Sequence, residues 1–413
     1  MKLKLLDKKK SKYPELQPLW IGLFIDILGF YIIIPLLPLI KKTFNTDDLM
    51  MGLLVSINAI VSLISAPIWG KLSDKYGRKH TLFIAESGTC FAFLILAFSN
   101  SLQLLFISRI VDGIFGGNYP ITKAIITDVV PPKDRGTQMT NLGVVHTLAG
   151  LIGPGLSGLL VFIPIFGLNY PMALPGLSAA ILSLFTMIIT ILYIEESWPK
   201  TTRINIENEI NIKTHISKNK DALFLLTQYA FHTLSFMLFV IPLSLFIGTI
   251  IGLDQIGVII MLEISGISRA FVRFTIFKTT MKKLGERRMT IFGLLILVIC
   301  FFLIGLFGWI YPEVWIFIIL MVIVSYGVSC SRGPLIGKIT KSVTQKEMGI
   351  INGYTTTLDS IAQSIGPTLA TFLYLINPLW YGVVMAILAS GAFMMEFKII
   401  IPLMEKKHNQ KND

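Results

Sequence analysis

Blocks of about 20 apolar residues recur along this chain, the helical length that crosses a hydrocarbon core of about 30 Å. In lipid a backbone must satisfy its own hydrogen bonds, so a spanning segment is either a helix or a strand of a closed barrel. Barrel strands alternate apolar and polar residues, and these blocks do not. Six of them lie near 17–40, 49–69, 79–99, 102–124, 138–162 and 171–194. Six more lie near 223–248, 254–277, 287–308, 312–337, 347–374 and 378–403. The expected fold is all-α and polytopic, with 12 transmembrane helices in two pseudo-symmetric six-helix bundles. The N-terminal bundle takes 1–194 and the C-terminal bundle 223–413. A polar cytoplasmic linker at 195–222, with room for a short amphipathic helix, joins them.

Charged residues make up 15% of the chain, against about 25% in soluble domains. The formal net charge of +12 invites a nucleic-acid partner, but its placement argues for orientation in a bilayer instead. Lys2, Lys4, Lys8, Lys9, Lys10 and Lys12 crowd the N-terminus. Lys278, Lys282, Lys283, Arg287 and Arg288 crowd the connection between spans eight and nine. The odd-numbered connections hold only Lys41 and Lys42. Both termini are therefore expected in the cytoplasm of a multi-pass cell-membrane protein. Cys90, Cys300 and Cys330 all fall inside apolar blocks. No disulfide, metal site or cofactor is expected from such an arrangement. The first apolar run, Leu19 to Ile40, is too long for a cleavable signal and lacks a small-residue cleavage site, so it is expected to remain.

The two halves echo each other. Thr127 to Pro154 aligns without gaps on Thr340 to Pro367, bringing Gly153-Pro154 onto Gly366-Pro367. Lys133 then falls on Lys346, Asp134 on Glu347 and Gly136 on Gly349. A second echo sets Lys282-Lys283-Leu284-Gly285 against Asp74-Lys75-Tyr76-Gly77. Matches in two corresponding places favour a duplicated six-helix unit.

The stretch Gly70-Lys71-Leu72-Ser73-Asp74-Lys75-Tyr76-Gly77-Arg78-Lys79 reads as a tight, charged loop between spans two and three, with Gly70 and Gly77 permitting a reversal. Its pattern resembles the signature loop of the major facilitator superfamily. Arg109 to Gly117 in span four resembles that family's Arg-x-x-x-Gly helix motif. Gly150, Gly153, Pro154 and Gly158 in span five resemble its glycine-proline antiporter motif, with departures at Ala149 and Ser157. The resemblance runs from about Leu19 to Leu403. Span one, with Asp26, Pro35 and Pro38, is similar to that of the drug:proton antiporter branch, which includes tetracycline exporters. The resemblance implies the major facilitator fold and a proton-coupling role for Asp26. It also implies a cavity lined by spans one, four, seven and ten. Where tetracycline exporters carry a third-span aspartate this chain has Ala92, which does not favour tetracycline itself. Asp74 is implied to face the N-terminal end of span eleven, near Gly349 to Gly353, as a switch with Arg78.

Each charge at the centre of a membrane helix costs about 2.5–3.5 kcal/mol on insertion scales, so such groups need partners or water. At 1.5 Å of rise per residue, Asp26, Arg109 and Asp112 share a layer near the midplane. Arg109 is expected to neutralise Asp26 or Asp112, with the choice left open. Arg332 lies near a helix end and is expected to reach the interface, while Arg269 either does likewise or pairs with Asp359. Glu86 lies in a span that the resemblance makes peripheral. The substrate cavity draws on Phe30, Tyr31, Tyr119, His232, Phe236, Glu263, Tyr326 and Asp359, since aromatic faces with a few acids suit flat, lipophilic cations. Proton-coupled efflux of small lipophilic or cationic compounds by a functional monomer follows as the expected activity. Proton-linked uptake or facilitated transport of a small metabolite and a non-transporting receptor or scaffold are the alternatives. An enzyme is not expected, for lack of a metal motif, a nucleophile-base pair or a nucleotide loop.

Overall fold

The computed structural model describes residues 12–161, 163, 172–197, 219–343 and 348–398. Among these there is no β-strand. The linker's expected amphipathic helix, the lysines from Lys2 to Lys10 and the Lys346-Glu347 echo lie outside the described residues. The chain falls into two compact units, Met1–Lys213 and Thr214–Asp413.

In the first unit, span one comprises α1 (Gln17–Ile33) and α2 (Leu37–Thr43), separated by a 3-10 turn at Ile34–Leu36. Pro35 and Pro38 supply no N–H to the helical ladder, which accounts for the break. Then come α3 (Asp48–Tyr76), α4 (Arg78–Ala97), α5 (Leu102–Ile114), α6 (Asn118–Val129), α7 (Pro132–Val161) and α8 (Ala173–Tyr193). Caps fix several starts: the Asp47 side chain accepts from Met50 N at 2.7 Å, and Ser101 from Leu104 N at 3.3 Å. Lys12 and Tyr13 both donate to Asp134 Oδ2, at 2.7 and 2.5 Å, tying the chain's start to α7. The Asp134 carboxylate raises the Lys12 ammonium and the Tyr13 phenol above their ordinary values.

The second unit contains α9 (Lys220–Val240), α10 (Leu243–Phe246), α11 (Gln255–Phe271), α12 (Phe277–Ile310), α13 (Val314–Lys341), α14 (Met348–Ile376) and α15 (Pro378–Lys398). Wide π turns at Ile247–Ile251 and Val272–Ile276 follow α10 and α11.

Two expectations are corrected here. Gly70 to Lys79 is not an open loop, because α3 runs through Tyr76 and α4 starts at Arg78. Gly77 alone makes the reversal, at φ 105°, and Gly70 is an ordinary helical residue. Span four is not one helix, since Gly116 and Gly117 separate α5 from α6. Ten helices among the described residues are long and apolar enough to cross a membrane. The two missing from twelve are this divided fourth span and α14, whose Thr355, Thr356, Thr357, Asp359, Ser360, Gln363 and Ser364 interrupt its apolar run.

The internal echo has a structural counterpart. Gly285 sits at φ 74° inside α12, between two helical stretches, as Gly77 does between α3 and α4. Glu286 follows it in the place of Arg78, and Lys341 stands in the place of Asp128. The Arg78–Asp128 pair at 2.9 Å is thus mirrored by a Glu286–Lys341 pair at 2.6 Å with both charges exchanged.

Candidate functional site

In the first unit the α3–α4 turn builds a clamp around Arg78, whose side chain is only 6% exposed. Its Nε donates to Asp128 Oδ2 at 2.9 Å and its Nη1 to Ser73 Oγ at 2.6 Å. Nη1 also meets Asp74 Oδ1 at 2.6 Å, but Asp74 remains 58% exposed. Glu196, at the start of the linker, accepts from Arg78 N at 2.8 Å, and Ser197 Oγ donates to Asp128 Oδ2 at 3.2 Å. The linker's first residues are therefore packed rather than free. Asp128, Glu196 and Ser197 carried no motif signal.

Deeper in the unit lie the charges of spans one, three and four. Arg109 donates from Nη1 to Asp112 Oδ2 at 3.3 Å and from Nη2 to Ser108 Oγ at 3.3 Å. Their spacing of three residues already places both on one helical face. Asn58 on α3 donates to Asp112 Oδ2 at 2.9 Å and to Arg109 O at 3.2 Å, locking α5 to α3. The open choice is thereby decided: Arg109 pairs with Asp112 and not with Asp26. Asp26 takes a hydrogen bond from the Asn118 side chain, while its Oδ1 is buried with no hydrogen-bond partner. Asn58 and Asn118 were missed, although an amide inside an apolar run is a readable signal.

Glu86 is buried within the first unit, among α4, α8 and α1. It is 2% exposed, and a Cβ added to Gly22 on α1 would lie 3.9 Å from its Oε1. Thr190 Oγ1 on α8 donates to that oxygen at 2.9 Å.

The glycines of the antiporter motif receive Tyr31. A Cβ on Gly153 would come within 2.4 Å of Tyr31 Cβ, and one on Gly150 within 3.3 Å of Tyr31 Cζ. These absent side chains let α7 lie directly on α1. The helix continues through Pro154 to Val161, past Gly158. Phe30 stacks edge-on against Tyr31, with ring centroids 5.9 Å apart. Tyr119 meets His146 edge-on at 5.9 Å and carries the Lys123 ammonium 4.6 Å above its ring.

The second unit has its own charged cluster. Asp359 on α14 accepts from Arg332 Nη2 at 3.0 Å, Tyr229 OH at 2.9 Å and Thr233 Oγ1 at 3.1 Å. Arg332 is therefore the partner of Asp359 rather than a side chain reaching the interface. Arg269, the expected alternative, donates instead to Ser265 O in its own helix at 3.4 Å. The Arg332 guanidinium also lies 5.7 Å from the Phe236 ring centroid. His232 is fully buried, and its Nε2 is 2.8 Å from Ser331 Oγ, a position within the packing of α9 on α13. Glu263 is half-buried on α11. Tyr326 lines an apolar cavity of about 460 Å³ with Phe271, Val272 and Val322, away from the Asp359 cluster.

The family model of the Major Facilitator Superfamily matches residues 19–367 of the chain. Tetracycline resistance protein, class H, of Pasteurella multocida is 27% identical over 365 residues, which cover 85% of this chain and 86% of that protein. Quinolone resistance protein NorA of Staphylococcus aureus (strain COL) is 24% identical over 396 residues, covering 95% and 97% respectively. The crystal structure of the human organic anion transporter MFSD10 (TETRAN) superposes with a TM-score of 0.69 at 17% identity. That likeness covers 94% of this chain and 100% of the other, and it is one of fold.

Proposed function

Since the chain belongs to the Major Facilitator Superfamily, we propose that it is a proton-coupled exporter of small lipophilic or cationic compounds, working by alternating access. A multi-pass transporter of this family is not an enzyme. The observation that carries the proton is Asp26. It keeps a buried carboxylate oxygen without a partner while the Arg109 guanidinium is held by Asp112. A carboxyl group left uncompensated in this way is suited to load and release a proton rather than to fix packing. Export is favoured by the resistance proteins among the relatives. The proposed setting is the cell membrane, with both termini cytoplasmic and the monomer as the working unit.

The test is pH-gradient-driven flux of a diverse panel of lipophilic cations in proteoliposomes. Wild type moves at least one of them with the gradient, and Asp26→Asn reduces that flux to the level of protein-free liposomes. Gradient-driven flux that survives Asp26→Asn would remove Asp26 from the mechanism. Comparing inverted with right-side-out vesicles separates export from metabolite uptake by the direction of accumulation.

Asp74 is proposed as the exposed half of a conformational switch whose buried half is Arg78. A carboxylate at a helix N-terminus gains about 0.3–1 kcal/mol, so losing such a contact in one state shifts a two-state equilibrium by about two- to fivefold. Asp74→Asn is expected to slow transport by about that factor with normal membrane insertion. Transport at the wild-type rate would refute the switch.

A further inference from the structure

Glu86 has no part in the mechanism so far, and its surroundings are unusual for a structural residue. It is 2% exposed on α4, and its Oε2 is buried with no hydrogen-bond partner. Its Oε1 is held by the Thr190 hydroxyl at 2.9 Å, and its backbone carbonyl accepts from Ser183 Oγ at 3.3 Å. The carboxyl group is thus oriented by α8 through one oxygen, leaving the other free.

Gly22 faces it from α1, where a Cβ would lie 3.9 Å from Glu86 Oε1, an ordinary van der Waals contact. Asp26 lies four residues further along α1, so it shares the face of Gly22 roughly 6 Å along the axis. Both acids carry one buried oxygen without a partner. A single water between them would find polar partners on both sides.

Among the described residues, no cation is paired with Glu86. Arg109 on α5 is committed to Asp112 at 3.3 Å. Lys79, on α4 itself, donates to Ile191 O, and Lys123 on α6 lies over Tyr119. The Cys90 thiol donates to Ala180 O at 3.5 Å. Asn58 on α3 is neutral and bound to Asp112. Asp48 at the start of α3 pairs with Lys41, and Asp128 at the end of α6 pairs with Arg78. Tyr193 on α8 stands at that helix's last turn.

We propose that Glu86 is a second proton-carrying carboxyl group of the N-terminal unit, exchanging protons with water through Asp26. The proton taken up by Asp26 passes to Glu86 Oε2, one O–H bond breaking as the other forms, with no electron transfer and with one bridging water as the relay. Oε1 stays the acceptor of Thr190 throughout. This rests on the proton-coupled reading of Asp26, and it doubles the number of proton-binding groups within that unit.

The test is infrared difference spectroscopy of the purified full-length protein in lipid, stepping pH across the range in which it stays folded. Wild type should show carboxylic C=O intensity that titrates and shifts in D2O. Part of it should be missing in Glu86→Gln and another part in Asp26→Asn. Glu86→Asp keeps the acid and should keep a displaced band, which also covers the case of a poorly folding Glu86→Gln. A Glu86→Gln spectrum that superimposes on wild type would overturn the proposal. So would a Glu86 band that neither titrates nor exchanges, since that is the behaviour of a static packing acid. Sodium chloride at fixed pH should leave the band in place, and its removal by sodium would make a metal ion the occupant instead. Gradient-driven flux that survives Asp26→Asn sinks the Asp26 reading without touching the Glu86 band, so the two failures are distinguishable.

Discussion

Gly153→Ala is expected to reduce both folded yield and transport sharply, whereas Gly150→Ala, one helical turn away, is expected to do little. The difference lies in what each new methyl group would meet. At Gly153 it would fall 2.4 Å from Tyr31 Cβ and 3.1 Å from the Tyr31 backbone carbon. Backbone cannot rotate aside, and α1 is fixed on its other sides by Ile27, Leu28 and Ile32, all buried. Overpacking of this kind costs about 1–3 kcal/mol, occasionally more, and moves α7 away from α1. At Gly150 the nearest atom is Tyr31 Cζ at 3.3 Å, on a ring that can swing by a few tenths of an ångström. Adding Tyr31→Ala to Gly153→Ala should not rescue it, because alanine keeps the Cβ that clashes. Thermal unfolding and flux of the variants give the readout. A Gly153→Ala protein with the wild-type midpoint would mean that the α1–α7 contact has slack.

The twelve apolar blocks were legible because lipid leaves the backbone so few choices, and the family motifs were legible because their spacing is fixed. What escaped was local geometry set by tertiary contact. The turn at Gly77 needs only one residue of positive φ, so the charged stretch before it stays helical, whereas composition alone made Gly70 to Lys79 look open. Span four divides because Gly117 has the Trp69 ring 2.7 Å from where its Cβ would be, and Gly116 has the Ser62 hydroxyl at 2.7 Å. Apolar periodicity carries no sign of that. Charged partners were harder still. Three-residue spacing puts Arg109 and Asp112 on one helical face, but shared depth leaves Asp26 an equal candidate partner, and the pairing with Asp112 appears only in the structure. Depth says nothing about rotation between helices, so it leaves open which arginine meets Asp359, and the structure gives that place to Arg332 while Arg269 turns to Ser265 O.

The second large effect is expected at Arg109. Arg109→Leu should give little folded protein, because it leaves Asp112 in a buried site with only the Asn58 amide as a donor. Breaking a buried pair from one side costs about 3–5 kcal/mol, most of it the isolated charge. Adding Asp112→Asn removes that charge and keeps an oxygen for Asn58, so the double variant should recover most of the yield. Recovery of folding does not imply recovery of function. If Arg109–Asp112 only joins α5 to α3, the double variant should also transport along a pH gradient at close to the wild-type rate. If the pair instead sets the field in which Asp26 takes and releases its proton, the double variant folds but moves substrate only downhill. The proton-coupled reading predicts the second result, because Asp26 is the neighbouring carboxyl group that the guanidinium does not neutralise. Gradient-driven flux in the folded double variant would reduce the pair to packing and leave Asp26 to work without it.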